Sequence, residues 1–543
     1  MFFIVFINKI LHIFYNKINN MFEVYELKNI LNKISIKKNE KFKKKLKEQN
    51  IFTDINKNIE YIKKVYESEI NTGIIFREFD INYNNKLYKG CIVFIESLSD
   101  TEGINNFILK PLMINDIFIQ NKLDEAILGT LLLQFDIKNE NSFSSIIDKI
   151  NSGFSVLFVD TLDSVFVIET KKYEHRGIES PKNEISLKGS QESFVESIKS
   201  NVSILRRLIN NENLVLEQIV VGKRSKTTCM IGYISNIANP KIVNEVRRRM
   251  QNISVDFLLD SGQLEHLIED HPFLTEPQIL STERPDKVAS HLTEGRVCII
   301  VNNTPYVLVV PFTFWDFFHS ADDYNLKFQY ANLLRLVRII AYVCSLFLPA
   351  LYIAITNYHV DLLPTDLLFS IAAIKEGIPF PLIVEILIME ISFELIREAS
   401  ARMPGSVGSS LGIVGAVLVG QATVDANLVS PILILVISLT GISSFATPNY
   451  SLGLSFRILR FAYIFLASIS GLLGIALGIV IHLIILCGSY TFNIPYFASF
   501  GEYQKKPFRD GIVLFPSWLN SFRPPFLKTL DNTKSEHISR KWI

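Results

Sequence analysis

The stretch IIAYVCSLFLPALYIAITNY, residues 339 to 358, decides the architecture, because it contains no Asp, Glu, Lys or Arg. A helix needs about 20 mostly apolar residues to cross a hydrocarbon core, so this run predicts a membrane span. Toward the C-terminus, residues 407 to 424, 426 to 456 and 461 to 481 are also free of charge and read as further spans. Asp425, Arg457 and Arg460 separate them, and Asp425 fits a turn between two apolar runs. The segment 367 to 402 is apolar but carries Lys375, Glu376, Glu385, Glu390, Glu394, Arg397 and Glu398. It reads as a membrane-embedded polar hairpin or as helices lying at the interface. The roughly 30 residues between Arg460 and Gly488 are long for one span and short for two, which leaves four to six membrane segments.

On the other side of the stretch, residues 73 to 330 have the pattern of a soluble α/β region of two subdomains. Short β-rich runs, CIVFIE (91 to 96), FSVLFVD (154 to 160), CMIGYI (229 to 234), RVCIIV and YVLVVP (296 to 311), alternate with helical stretches such as SFVESIKSNVSILRRLINN (193 to 211). Asn303, Thr304 and Pro305 predict a hairpin turn. The polar segment 171 to 189 reads as the joint between subdomains, and no period of 20 to 50 residues is visible. The fold class is therefore an α/β region of two subdomains followed by an all-α multi-span membrane domain. The boundaries are 1–72 for a Lys/Asn-rich arm, 73–180 and 181–330 for the subdomains, 331–500 for the membrane domain and 501–543 for a tail.

The first 20 residues lack the basic start and small-residue cleavage site of a signal peptide. They read as an extension before Met21 or as an amphipathic surface helix. Residues 28 to 64 read as a solvated helix or arm, with a basic patch on anionic lipid as the alternative. Lys327, Arg335 and Arg338 precede the first span, and the loop after it has no Lys or Arg. The positive-inside rule then puts the soluble region in the cytoplasm, and Lys505, Lys506, Arg509, Arg523 and Lys528 put the tail there too.

Charge excludes a nucleic-acid protein held by counterion release: 55 Lys and Arg balance 54 Asp and Glu among 543 residues. A mean hydropathy of +0.26 with 20% charged residues means that polar and apolar residues are segregated along the chain. Cys91, Cys229, Cys298, Cys344 and Cys487 show neither zinc spacing nor a disulfide framework and read as buried small hydrophobes.

No catalytic centre assembles. GKRSKT (222 to 227) has Glu217 where a phosphate loop needs its first glycine, and Arg224 in place of the magnesium-binding Ser/Thr. Lys223, Arg224 and Lys226 form either a solvated turn between strands or an anion contact. His266 and His271 are five apart, the wrong spacing for a helical metal pair, so neither metal nor cofactor is expected. GSVGS (405 to 409) lacks the strand-to-helix context of a nucleophile elbow. In the membrane part, Gly408, Gly412 and Gly415 give one helix a small-residue face, for tight packing or for a narrow pore. Glu390, Glu394 and Glu398 recur every four residues, within reach of Arg397 and Arg402 at i+3 and i+4. They form either a salt-bridged helix or a cation-attracting ring repeated around an oligomer.

The motifs together resemble the A subunits of the GerA-type spore-germination receptors. They are GKRSKT, IANP (237 to 240), EVRRRM (245 to 250), IED (268 to 270), TERPD (282 to 286), EGRV (294 to 297) and NTPYVLVVP (303 to 311). In the apolar half they are EGIPFP (376 to 381), FELIREASARMP (393 to 404), GIVGAVLVGQATV (412 to 424), LVSP (428 to 431) and SSFATPNY (443 to 450). Two departures stand out: GSQESF at 189 to 194 where the family reads GPREGF, and Asn302-Asn303 in place of Asp-Gly. The resemblance implies a non-enzymatic nutrient-germinant receptor subunit in the spore inner membrane. It implies a permease-like B subunit and a lipoprotein C subunit as partners, and an oligomer, a pentamer, that conducts cations when germinant binds. On the family motifs, Lys223, Arg224, Lys226, Arg284, Asp286 and Arg296 are coupling or interface candidates, and Gly408, Gly412, Gly415, Glu390, Glu394, Glu398 and Asp425 are pore or gating candidates. A scaffold that couples germinant binding to partners without conducting ions is the alternative.

Overall fold

The computed structural model describes residues 50–83, 86–114, 124, 127–128, 135–172, 184, 188–402, 420–498 and 510–534. Gly408, Gly412 and Gly415, residues 1–49, and Lys505, Lys506 and Arg509 lie outside them.

Two five-stranded sheets make up the soluble part. The first contains β1 (Ile74–Tyr83), β2 (Lys86–Ile95), β3 (Ile137–Glu140), β4 (Ser155–Val159) and β5 (Val165–Ile168), in the order β1-β2-β4-β5-β3. The second contains β6 (Leu214–Val221), β7 (Thr227–Ile234), β8 (Leu280–Thr282), β9 (Val297–Val301) and β10 (Val307–Val310), in the order β6-β7-β9-β10-β8. The two orders are the same, and every ladder is antiparallel. Each sheet is preceded by one helix, Ile55–Val65 or Ile198–Leu208, so the soluble region is one motif built twice.

Alternation of strands with helices had suggested α/β; antiparallel pairing throughout makes this an α+β fold instead. The β9–β10 hairpin turns where Asn303, Thr304 and Pro305 had placed it, with Asn303 at φ 69°. Helix Ile55–Val65 bears out a helix in place of an arm here but corrects its being solvated. Among its lysines and asparagines, Ile55, Ile59 and Ile62 recur on one face and are buried with Val93, Phe143 and Val156. At the other end, Phe526 and Leu527 enter the core of the second sheet, and the Leu530 amide donates to Ile237 O over 2.9 Å. Residues 523–534 are thus part of the second layer rather than a free tail. Arg206, buried in the helix that opens the second unit, donates to Asn71 Oδ1 and Thr72 O and ties the layers together.

The helical part begins with Phe328–Ile353, which continues to Tyr358. Helices Thr365–Glu376, Leu382–Arg402, Pro431–Phe445 and Tyr450–Gly488 follow. Two stretches are long and apolar enough to cross a membrane: Phe328–Tyr358, with mean hydropathy 2.1, and Tyr450–Gly488, with 2.6. The second is not straight. Gly471 takes φ 59°, ψ −135°, a conformation open to glycine, and a Cβ there would stand 2.8 Å from Tyr358. Tyr463 Oη and His482 Nδ1 are 3.2 Å apart, whereas 19 residues of straight helix would separate them by roughly 28 Å. The chain therefore folds back at Gly471 as a helical hairpin, and Leu452, Phe456 and Leu486 all return to the second sheet beside Phe314 and Tyr496.

Two expected spans are corrected by these breaks. The charge-free run 426 to 456 is divided where Ser430 caps Pro431–Phe445 and Asn449 caps the following helix, each accepting a backbone N–H. The run 461 to 481 is divided by the bend at Gly471. Cys487 also departs from expectation: it is exposed, while Cys91, Cys229 and Cys298 are buried.

Candidate functional site

The segment that leaves β10 builds the junction between sheet and helices. Thr313 and Asp316 form a reciprocal cap on the short turn Phe314–Phe318. Asp316 Oδ2 accepts from the Thr313 hydroxyl at 2.7 Å and from Arg296 Nη2 at 2.8 Å. Arg296 also donates to Pro311 O at 3.0 Å, with its guanidinium 4.7 Å from the Phe312 ring centre. Burial opposes charge on Asp316, yet Arg296, His319 and Thr313 hold its carboxyl below the usual range.

One turn further, Asp323 is fully buried and takes two arginines from the first long helix, Arg335 Nε at 3.1 Å and Arg338 Nη1 at 2.8 Å. Arg335 reaches on to Asp510 Oδ1 at 3.0 Å and Gly511 O at 2.9 Å. Tyr324 donates to Asp510, and His319 Nε2 lies 2.8 Å from Gly511 O. Burial, and then the Arg335 charge, lower the His319 imidazole below its ordinary pKa. Three parts of the chain, the second sheet, the first long helix and the 510–534 segment, thus meet on one charge network. A cleft of about 210 Å³ opens on it, lined by Asp286, Lys287, His291, Asp316, His319 and Tyr324.

Asp286 lines the cleft, with Arg284 buried behind it. Arg284 grips Asp286 at 2.7 and 3.1 Å and donates to the carbonyls of Glu184 and Ser190. This pair pins the crossing between the two units onto the second sheet.

A second network lies among the helices. Glu390 and Arg460 are 0% and 1% exposed and 2.6 Å apart, and Arg460 also donates to the carbonyl and hydroxyl of Ser345. Glu394 sits between Arg397 at 3.3 Å and Arg457 at 3.4 Å, and Glu398 pairs with Arg402 at the exposed end. The pairs of Arg397 with Glu394 and Arg402 with Glu398 are those the i+3 and i+4 spacing allowed. The inner group holds three guanidinium ions and two carboxylates, a net positive charge, which disfavours a cation-attracting ring at this level. Glu390 Oε1 has no hydrogen-bond partner in the described structure. Asp425 is the exposed last residue of the helix that includes Gly420, just before the turn at 426, and accepts from Gln421 Nε2.

Lys223, Arg224 and Lys226 do not join these sites. They occupy the exposed β6–β7 turn, and the amides of Lys223, Arg224 and Ser225 donate to Val255 O and Asp256 O. Amides engaged in this way leave no phosphate cradle. Among the described residues no cluster of three His, Cys, Asp or Glu could hold a metal.

Sequence reasoning missed Asp323, Asp510 and the roles of Arg335 and Arg338. The arginines had served as a topology signal, whereas both face inward onto acids, and Asp510 is 175 positions from Arg335. It also missed His482, whose Nε2 is 2.6 Å from Glu276 Oε1 and joins the second arm of the hairpin to the second sheet.

Comparison with known proteins identifies relatives of this chain. The family model described as Bacillus/Clostridium GerA spore germination protein matches residues 60–526. Over 453 residues the chain is 38% identical to the uncharacterized membrane protein YfkQ of Bacillus subtilis (strain 168), covering 83% of this chain and 88% of that one. It is 36% identical over 484 residues to spore germination protein KA of the same organism, covering 89% and 88%. Among solved structures, the N-terminal domain of the A subunit of the Bacillus megaterium spore germinant receptor GerK3 is 32% identical, with a TM-score of 0.38 over 48% of this chain and 96% of that chain.

Proposed function

The chain belongs to the GerA spore germination family, and from that membership we propose that it is the A-type subunit of a nutrient-germinant receptor in the spore inner membrane. The helical part lies in the bilayer as a multi-span domain, and both soluble layers and the C-terminal segment face the spore core. That residues 523–534 pack on the second layer supports placing the two on one side. Germinant binding opens an oligomer of this chain, a pentamer, to monovalent cations, together with a permease-like B subunit and a lipoprotein C subunit.

The observation that carries the coupling is the junction at Asp323, Arg335 and Asp510. Buried ion pairs in a low-dielectric site have few alternative arrangements, so displacement of the second sheet is passed to the first long helix rather than absorbed. Since Glu390, Glu394 and Glu398 all have arginine partners, the segment bearing Gly408, Gly412 and Gly415 is the better pore candidate. The pairing of the carboxylates also favours the second reading, a scaffold that passes germinant occupancy to its partners. Flux recordings on the chain reconstituted with its partner subunits separate the two. Germinant-dependent cation flux that Gly412→Leu abolishes supports the channel; germinant binding without flux leaves the scaffold.

A further inference from the structure

Residues 511 to 522, GIVLFPSWLNSF, carry no charge, although they lie on the soluble side of the helical part. They cross the first turns of the Phe328–Ile353 helix. Asn332 holds Leu514 by both backbone groups, at 2.9 and 2.7 Å, and Arg335 holds Gly511 O. Trp518 meets the Phe328 ring edge-on at 6.4 Å. The backbone of this strap is further satisfied from within, Leu519 donating to Pro516 O and Asn520 to Ser517 O. A segment at the edge of a bilayer needs that satisfaction, because hydrocarbon offers no substitute partner.

What the strap turns outward is apolar apart from Ser517. Ile512, Val513, Phe515, Trp518 and Leu519 are all exposed, Val513 by 52%. The helix beneath continues the surface with exposed Tyr330, Leu333, Leu336, Val337 and Ile340. On the return arm of the hairpin the pattern recurs: Ile484, Ile485 and Tyr490 are exposed, and Phe273 beside them is 100% exposed. The Phe273 loop is fastened to that helix end, Asp270 accepting from Phe492 N at 2.7 Å and His271 Nε2 from Tyr490 N at 3.2 Å. Both helix ends on the soluble side therefore carry exposed aromatic and aliphatic residues, at a height fixed by hydrogen bonds to the helices.

We infer that the strap around Trp518 and the loop at Phe273 lie in the headgroup–acyl boundary of the membrane, as an aromatic anchor that sets the depth of the soluble layers. The occupant is lipid, because the strap is tied to the first turns of one long apolar helix and the Phe273 loop to the end of the other, and Trp and Phe gain most where one side is wet and the other apolar. The inference rests on the membrane placement proposed above.

The test uses the full chain in phosphatidylcholine–phosphatidylglycerol vesicles, with lipid brominated either near the headgroup or near the chain end. Trp518 emission is isolated by difference against Trp518→Phe, and Phe273→Trp and Leu477→Trp report the loop and the middle of the return arm. The expected result is that headgroup-side bromine roughly halves Trp518 and Phe273→Trp emission, while chain-end bromine acts mainly on Leu477→Trp. If Leu477→Trp is quenched and the other two are not, the anchor is overturned and the membrane placement stands. If none is quenched, the placement itself fails. A photo-crosslinker at position 518 that captures a second copy or another subunit instead of lipid also overturns the anchor.

Discussion

The two soluble layers share one strand order but differ in what they bury. Among the described residues of the first layer, ion pairs such as Lys172 with Asp100 and Lys64 with Glu60 are solvent-exposed, and the core is apolar. The second layer buries Arg284, Arg296, Asp316 and Glu294 and extends the same chemistry to Asp323 and Arg335. A common topology therefore does not set the role of a layer. The second is the one in contact with the helices, and its charges are the part of the motif that the duplication did not share. If that contrast is right, matched changes in the two layers will have unequal effects.

The largest expected effect is at Arg296. Removing one partner of a buried pair leaves an uncompensated charge, so Arg296→Ala should destabilise the full chain by about 3–5 kcal/mol through the orphaned Asp316. Thermal unfolding of the purified protein measures it. The double variant Arg296→Met with Asp316→Leu should recover most of the loss, since an apolar pair of similar volume needs no compensation. A small loss in the single variant would mean that water reaches Asp316 and that the network is not rigid enough to couple sheet to helix.

The second strand of each sheet carries a glycine, and these sharpen the comparison. A Cβ at Gly232 would stand 2.6 Å from Cys298 Sγ and 3.0 Å from Leu216 Cδ2; at Gly90 its nearest atoms would be Ile81 Cδ1 and the Phe79 ring, at 3.1 Å. A cysteine side chain has almost no freedom to withdraw, whereas the ends of Ile81 and Phe79 can shift by tenths of an ångström. Gly232→Ala should cost about 1–3 kcal/mol and Gly90→Ala clearly less, by denaturant midpoint. Equal costs would mean the two sheets are packed alike.

Much of this fold was legible before the structure. The strand runs, the turn at Asn303 and the change of character after residue 330 follow from period and composition, which are local. The duplication was hidden because a repeated strand order needs no repeated residues, only two sets of apolar alternation at similar places. Sheet direction was hidden for a related reason: a helix between two strands is compatible with either sense of pairing. The hairpin at Gly471 was misread because an apolar helix bent by one glycine has the composition of a straight one. At the site, spacing identified the pairs within one helix, Arg397 with Glu394 and Arg402 with Glu398. It could not identify Arg460 with Glu390 or Arg335 with Asp510, whose partners come together only through tertiary folding.

A pH dependence tests the second layer more gently. Burial, and then the charge of Glu269, push the Glu265 carboxyl up to about 7 from 4.5. The folded state therefore holds a proton that the unfolded chain has lost, so this contribution is complete below about pH 4.5 and is lost as pH rises through 7. Glu265→Gln should flatten the stability curve between those values. An unchanged slope would assign it to another group.

The smallest expected effect lies in the first layer. Lys172 pairs with Asp100 at 3.1 Å, but the two side chains are 58% and 29% exposed, so water and salt screen the attraction. Lys172→Ala should change stability by no more than about 1 kcal/mol, and less at high salt. The strand beside it depends on the apolar cluster of Val156, Phe158 and Val167, which the substitution does not touch. A loss as large as that of Arg296→Ala would erase the contrast between the layers, because an exposed pair would then matter as much as a buried one. The measurement at two ionic strengths separates the cases: a screened contact weakens with salt, and a packed one does not.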